Sequence, residues 1–280
     1  MRSPATVTRS PSATAQSRAR PKPSVPIVTW IPLSSPSPTR RSVGWPTRSV
    51  NGVVESGAVY TFTATADRTL VAAYTPICPV TTNTDSGPGS LRQAVADAAP
   101  GAILCFNPLL SGQTILFGSP IVIDKSLTIN GNLPVILDGQ GSYRIFEVSA
   151  GGSLSLNALT LRNGKGAAPG GGAILVAAGG TLAVTGVTFG SNQTAGKGGA
   201  ILNGGTTTVS HSTFSANSAG QGGGIANDGG TATVSTSVFG VNTGGNCWGT
   251  MTSSGYNVVG DGSCNFTGRG DINDAPLPVA

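Results

Sequence analysis

The sequence has little charge and no long apolar run. Charged residues make up only 10% of its 280 residues, and His211 is its single histidine. No stretch approaches the ~18 consecutive apolar residues of a transmembrane helix. The apolar stretch nearest the N-terminus, at residues 27–33, is interrupted and lies too late for a signal peptide. The sequence therefore predicts no transmembrane segment.

The basic charge is confined to the N-terminus. Residues 1–50 carry eight Arg and Lys and no acid, whereas residues 51–280 carry eight bases and eleven acids. The net charge of +5 is thus the sum of +8 at the N-terminus and −3 elsewhere. Nucleic-acid-binding domains carry a clustered basic patch. We therefore expect no nucleic-acid partner.

Metal ligands and phosphate-binding loops are scarce too. The four cysteines are too few for a disulfide-rich scaffold and too scattered for a zinc site. No Gly-rich run is followed by the Lys-Ser/Thr of a phosphate loop. His211 is predicted to face solvent at a bend between strands. The sequence predicts no metal and no cofactor.

Glycine is abundant, at 42 residues, and much of it lies in repeated motifs. Gly-Gly-Ala-Ile at residues 171–174 recurs at 198–201 and, as Gly-Gly-Gly-Ile, at 222–225. A second motif, Phe-x-x-Asn, occurs as Phe189/Asn192, Phe214/Asn217 and Phe239/Asn242. A fixed period of about 20–50 residues marks a stacked repeat array. We assign both the Phe and the Asn positions a structural role.

Apolar residues alternate with polar ones between these motifs, which is typical of half-buried strands. The alternation at Leu182 and Val184 recurs upstream at Leu154 and Leu156. A unit of this kind buries its apolar side only by stacking on its neighbours. The sequence therefore predicts an all-β fold, a right-handed parallel β-helix of about five coils with a short N-terminal capping helix.

The two motifs together resemble the paired signature of polymorphic outer membrane protein repeats. More broadly, the chain resembles bacterial right-handed parallel β-helix surface proteins. These resemblances imply export and a surface or adhesive role without catalysis. They also imply an extracellular or cell-surface location, with a polysaccharide or a protein as partner.

We divide the chain into five segments. Residues 1–43 are predicted to be disordered or out of frame, because they are rich in Ser, Pro and Arg and have no apolar face. Residues 44–75 resemble part of an internalin-B-type β module whose opening half is absent. Residues 76–120 form a linker and cap, in which Ser90 begins a helix. Residues 121–242 are the β-helix, and residues 243–280 close it.

The closing segment resembles a choice-of-anchor Q domain of secreted bacterial proteins. In that family an attachment signal follows, so we expect this segment to be truncated. Cys247 and Cys264 bracket it and form a candidate disulfide, which an exported protein permits. Two alternatives remain open for Cys105, which either packs as a small buried residue or pairs with Cys78.

Some parallel β-helices degrade pectin, a chemistry that needs several acidic groups on adjacent coils of one face. Between residues 171 and 242 there is one acid and one base besides His211, too few for paired acid and base catalysis. The early coils carry more charge, and Asp138, Arg144 and Glu147 are the candidates for a carbohydrate site. The favoured hypothesis is a non-catalytic, adhesin-like scaffold. The alternatives are a polysaccharide lyase or glycoside hydrolase acting on these coils, and a polysaccharide-binding module.

Overall fold

The computed structural model describes residues 78–276, together with the backbone of four short strands nearer the N-terminus. The chain divides into two compact units, of which the larger contains residues 51–53 and 77–280. Nearer the N-terminus, Thr39–Val43 pairs antiparallel with Tyr60–Ala64, and Ser49–Val50 forms a second two-stranded sheet with Val53–Val54. The first of these strands lies inside the segment that we predicted to be disordered. The rest of that segment and most of the internalin-B-type module lie outside the described residues.

The larger unit is a parallel β-solenoid of about six turns, which confirms the predicted fold class. Each turn passes through three parallel sheets, named here in chain order. The strands of the first sheet are Ala102–Cys105, Ser126–Asn130, Ser153–Asn157, Thr181–Thr185, Thr206–Ser210, Thr231–Ser235 and Thr252–Ser253. Those of the second sheet are Thr114–Leu116, Ile136–Asp138, Thr160–Arg162, Thr188–Gly190, Thr213–Ser215, Val238–Phe239 and Val258–Val259. Those of the third sheet are Ile121–Ile123, Phe146–Val148, Ile174–Val176, Ile201–Asn203, Ile225–Asn227 and Cys247–Trp248.

The solenoid has about one turn more than the five that the repeats predicted. Its first strand, Ala102–Cys105, lies in the segment assigned to the linker and cap, and its last strands lie in the closing segment. The end coils lack the repeated motifs because terminal repeats have only one repeat as a neighbour and pack against caps instead. The repeat count in the sequence was therefore an underestimate.

The predicted register is that of the structure. Leu154 pairs with Leu182, and Leu156 with Val184, in neighbouring strands of the first sheet. Two columns of inward residues run through the first sheet, and all their members are at most 2% exposed: Leu127, Ile129, Leu154, Leu156, Leu182, Val184, Thr207, Val209, Ala232 and Val234. Since side chains alternate between the two faces of a strand, the intervening Ser and Thr residues point away from the interior.

The Gly-Gly-x-Ile motif is explained by the close approach of successive coils. A Cβ atom at Gly172 would collide with the carbonyl oxygen of Gly199 in the next coil, and one at Gly199 with that of Gly223. The glycine before each has a positive φ, 75° at Gly171 and 71° at Gly198. Only glycine adopts both this backbone and this spacing without strain. The motif therefore marks the corner at which the chain enters the third sheet.

The helix Leu91–Asp97 covers the N-terminal end of the solenoid. Ser90 caps it by accepting a hydrogen bond from the backbone N–H of Gln93 (3.1 Å). Its buried residues Leu91, Ala94 and Val95 belong to the same apolar cluster as the solenoid interior. Two short 3₁₀ turns, Pro108–Leu110 and Gly262–Cys264, and the paired strands Lys165–Gly166 and Gln193–Thr194 complete the described elements.

Candidate functional site

Asp138 ends a strand of the second sheet and is 5% exposed. Its carboxylate accepts hydrogen bonds from the backbone N–H of Gln140 (2.8 Å), from Arg162 Nε (2.7 Å) and from Asn163 Nδ2 (2.9 Å). Gln140 has a φ of 59°, a left-handed conformation that a neighbouring Asp can stabilise through such a bond. Asp138 thus holds the turn after its strand and ties it to the next coil.

Arg144 is 8% exposed and holds the loop of the next coil in place. Its guanidinium donates to the carbonyl oxygens of Gly171 (3.0 Å), Gly170 (2.7 Å) and Ala167 (3.2 Å). It also pairs with Glu147 at 3.1 Å. Burial lowers the pKa of Arg144, and the charge of Glu147 opposes this shift. Arg144 is therefore a clamp for the loop at residues 167–171.

The three candidate carbohydrate-site residues are not all brought together. Arg144 and Glu147 form an ion pair, whereas Asp138 pairs with Arg162. Asp138 ends a strand of the second sheet, and Glu147 lies within a strand of the third. No hydrogen bond or ion pair between residues 78 and 276 joins Asp138 to either of the others.

A groove that the sequence analysis missed lies beside Arg144. Its volume is about 430 Å³, and its lining residues are Pro120, Ser142, Tyr143, Arg144, Lys165, Gly166 and Ala167. It lies between the connection at residues 139–145 and the longer one at residues 163–173, both of which lead from the second sheet to the third. The sequence does contain a signal for this groove, because the second connection is longer than the first. A longer connection projects beyond the shorter one in the neighbouring coil and leaves a depression beside it.

The Asn column is buried and forms a hydrogen-bonded ladder. Asn192 Nδ2 donates to Asn217 Oδ1 at 2.9 Å, and Asn217 Nδ2 donates to Asn242 Oδ1 at 2.9 Å. The backbone N–H groups of Asn192 and Asn217 donate to the same oxygens, at 3.0 Å and 2.8 Å. The side-chain amide of each residue also donates to a backbone carbonyl oxygen, that of Leu161 for Asn192 and that of Phe189 for Asn217, both at 3.0 Å. The ladder therefore stabilises the corner beyond the second sheet.

The Phe column forms the centre of the interior. Phe189, Phe214 and Phe239 are each 0% exposed, and consecutive ring centroids lie 4.7 Å and 4.6 Å apart. Phe266, from the closing segment, packs edge-on against Phe239 at 6.0 Å. The closing segment thus covers the C-terminal end of the column.

All four cysteines are paired. Cys247 and Cys264 form a disulfide, as do Cys78 and Cys105. The Cys78–Cys105 bridge decides between the two alternatives that the sequence left open for Cys105. This residue is half-buried and forms a disulfide with Cys78. One bridge therefore lies at each end of the solenoid.

His211 lies at the bend between the first and second sheets, exposed and with a φ of 51°. Among the described residues, no group of three or more His, Cys, Asp or Glu side chains is arranged to hold a metal ion. In the same part of the chain, no helix is long and apolar enough to cross a membrane. No protein-family model and no curated protein matches this chain.

Proposed function

We propose that the chain is a non-catalytic, adhesin-like scaffold of an exported bacterial protein, located outside the cell or on its surface. The observation that carries this proposal is the pair of disulfides, one at each end of the solenoid. Disulfides persist in oxidising compartments and are rare in the cytosol. The resemblance of the repeats to surface β-helix proteins points the same way.

The non-catalytic assignment is supported by the contacts of the charged residues in the early coils. Asp138 stabilises a turn and Arg144 clamps a loop, and each uses its polar atoms for that purpose. A glycoside hydrolase needs two carboxyl groups that flank one bond. In this chain Asp138 and Glu147 are held on different sheets by different arginines.

Export is tested on the source cells. An antibody against the folded protein should label intact cells, and all four cysteines should resist alkylation until a reductant is added. Alkylation of Cys247 and Cys264 in the folded protein, together with labelling only after lysis, would contradict the proposal.

Catalysis is tested with the purified protein. Incubation with pectic and other acidic polysaccharides should produce neither new reducing ends nor unsaturated products. Turnover that disappears in Asp138→Ala or Glu147→Ala would favour the lyase or hydrolase instead. Binding without turnover is compatible with a non-catalytic scaffold and would identify it as a polysaccharide-binding module as well, a role that the groove beside Arg144 supports.

A further inference from the structure

We propose that the groove beside Arg144 binds an acidic polysaccharide, with Lys165 pairing with a sugar carboxylate and the Tyr143 ring packing against a sugar face. This inference rests on the proposed surface role and names the ligand class that such a scaffold would take. The groove residues belong to three successive coils, represented by Pro120, Tyr143 and Lys165.

The two side chains that carry the proposal lie on neighbouring coils. The backbone N–H of Lys165 donates to the carbonyl oxygen of Tyr143 at 3.0 Å. Successive coils are spaced by about 4.8 Å, so the groove crosses roughly 10 Å of the solenoid along its axis. An extended polymer that lies along the axis therefore meets Tyr143 and Lys165 one after the other.

The charge of Lys165 is available to a ligand. Lys165 is exposed and forms no ion pair within residues 78–276, whereas Arg144, Arg162 and Lys197 are paired with Glu147, Asp138 and Asp228 respectively. The carboxylate of Glu147 is paired with the groove residue Arg144. A hydrogen bond between charged groups is stronger than one between neutral groups. We therefore expect a uronate carboxylate to bind Lys165 more strongly than a neutral sugar hydroxyl does.

Tyr143 supplies the second contact. The residue is 41% exposed, so its ring is accessible to a ligand. An aromatic ring with a polar tip suits a ligand that is apolar on one face and hydroxylated at its edges. A sugar ring has this character, and Ser142 adds a hydroxyl group beside it.

The groove is also preorganised. Arg144 fixes the carbonyl oxygens of Ala167, Gly170 and Gly171, so that the wall formed by residues 166–167 is held before a ligand arrives. Preorganisation reduces the entropy lost on binding. A volume of about 430 Å³ accommodates a short run of sugar rings rather than a protein domain.

The test is affinity electrophoresis of the full chain in gels that contain polygalacturonate or, for comparison, uncharged dextran. We expect retardation by polygalacturonate alone. Lys165→Gln should raise the dissociation constant at least about tenfold, since it removes a charge-assisted hydrogen bond. Tyr143→Ala should weaken binding to a similar degree, and Tyr143→Phe, which keeps the ring, should retain it.

The matched control is Arg269→Gln, which removes the same charge from an exposed residue outside the groove. It should change the dissociation constant by less than about twofold, as expected for a remote surface charge. Circular dichroism checks that each variant folds, and Lys165→Gln alters only an exposed side chain. Absence of retardation, equal retardation in dextran, or an equal loss in Arg269→Gln and Lys165→Gln would overturn the proposal. Labelling of intact cells is scored separately, so failure of binding and failure of export are distinguishable.

Discussion

At the residue scale, the interior depends on side chains that stack on identical side chains in the next coil. The rings of Phe214 and Phe239 are 2° from parallel, with their centroids 4.6 Å apart. This distance is about the spacing of neighbouring strands. Each ring is therefore positioned by the backbone register, and its loss leaves a space that the rigid stack cannot close.

Phe214→Ala should lower the free energy of unfolding by about 3–5 kcal/mol, as for other buried Phe truncations. Thr213→Ala, at the neighbouring half-buried position, should change it by less than about 0.5 kcal/mol. Urea titration followed by circular dichroism measures both values. Equal effects of the two substitutions would show that Phe214 does not pack in the interior.

The Asn ladder allows a prediction about both stability and its pH dependence. Asn217 Nδ2 donates to the carbonyl oxygen of Phe189 (3.0 Å) and to Asn242 Oδ1. Asn217→Asp keeps the accepting oxygen but turns this donor into a buried carboxylate oxygen that faces two acceptors. We expect destabilisation of at least about 1–3 kcal/mol near neutral pH. Because these surroundings raise the pKa of the new carboxyl, the stability deficit should shrink as the pH is lowered and the group becomes protonated.

Asn157→Asp is the control for this variant, since Asn157 is a half-buried residue on the outer side of the first sheet. Its stability should depend much less on pH. The comparison uses urea midpoints at pH values from neutral to mildly acidic. A pH-independent deficit in Asn217→Asp would mean that the ladder does not set the cost.

At the scale of elements, the closing segment is held by carboxylates. Asp271 accepts hydrogen bonds from the backbone N–H of Asn257 (2.8 Å) and of Gly268 (2.6 Å), as well as from the hydroxyl of Ser253. Burial by itself raises the pKa of Asp271, but these hydrogen bonds outweigh burial and lower the pKa below 3.8. Asp261 shows the same balance, with Ser263 and Asn246 as donors.

The lowered pKa of Asp271 gives a pH dependence with a definite sign. Because the folded state binds the proton less tightly than the unfolded chain, Asp271 contributes stability above pH 3.8. That contribution is lost as the pH falls through the lower, folded pKa. Asp271→Asn should therefore destabilise the protein near neutral pH and flatten its stability profile in acid.

Asp124→Asn is the comparison for this variant, since Asp124 is exposed on an early coil and accepts none of the described side-chain hydrogen bonds. The measurement is the thermal unfolding midpoint of both variants and of the unmodified protein across the acid range. An unchanged acid profile in Asp271→Asn would contradict the assignment of acid sensitivity to this carboxylate.

At the scale of the whole molecule, the solenoid is a stack in which each coil contacts mainly the coils above and below it. Equivalent residues such as Asn192 and Asn217 are 25 positions apart. In such arrays stability is approximately a sum of repeat and neighbour contributions. Removing one complete coil should therefore leave the remaining coils in register.

Deletion of residues 190–214 joins Phe189 to Ser215 and removes one such 25-residue repeat, because Phe189 and Phe214 are paired. The product should fold with the same β-sheet circular dichroism spectrum and a lower unfolding midpoint. Deletion of residues 190–215 removes one residue more, which shortens the corner between Phe189 and Asn217 by one residue and displaces Asn217 from its place in the Asn ladder. This second variant should fold poorly. Equal behaviour of the two deletions would contradict the stacked register.

The sequence by itself determined the fold class, the inward columns, the capping helix and the structural role of the repeated Phe and Asn residues. These features follow from a local pattern that repeats, so equivalent positions stack wherever the coils stack. Only the tertiary structure decided the number of coils, the Cys78–Cys105 bridge, the loop clamp at Arg144 and the groove at Tyr143 and Lys165. Each of these depends on how an unrepeated connection or end segment folds back on the stack. Such a path is set by contacts between residues distant in the sequence, and a period cannot encode it.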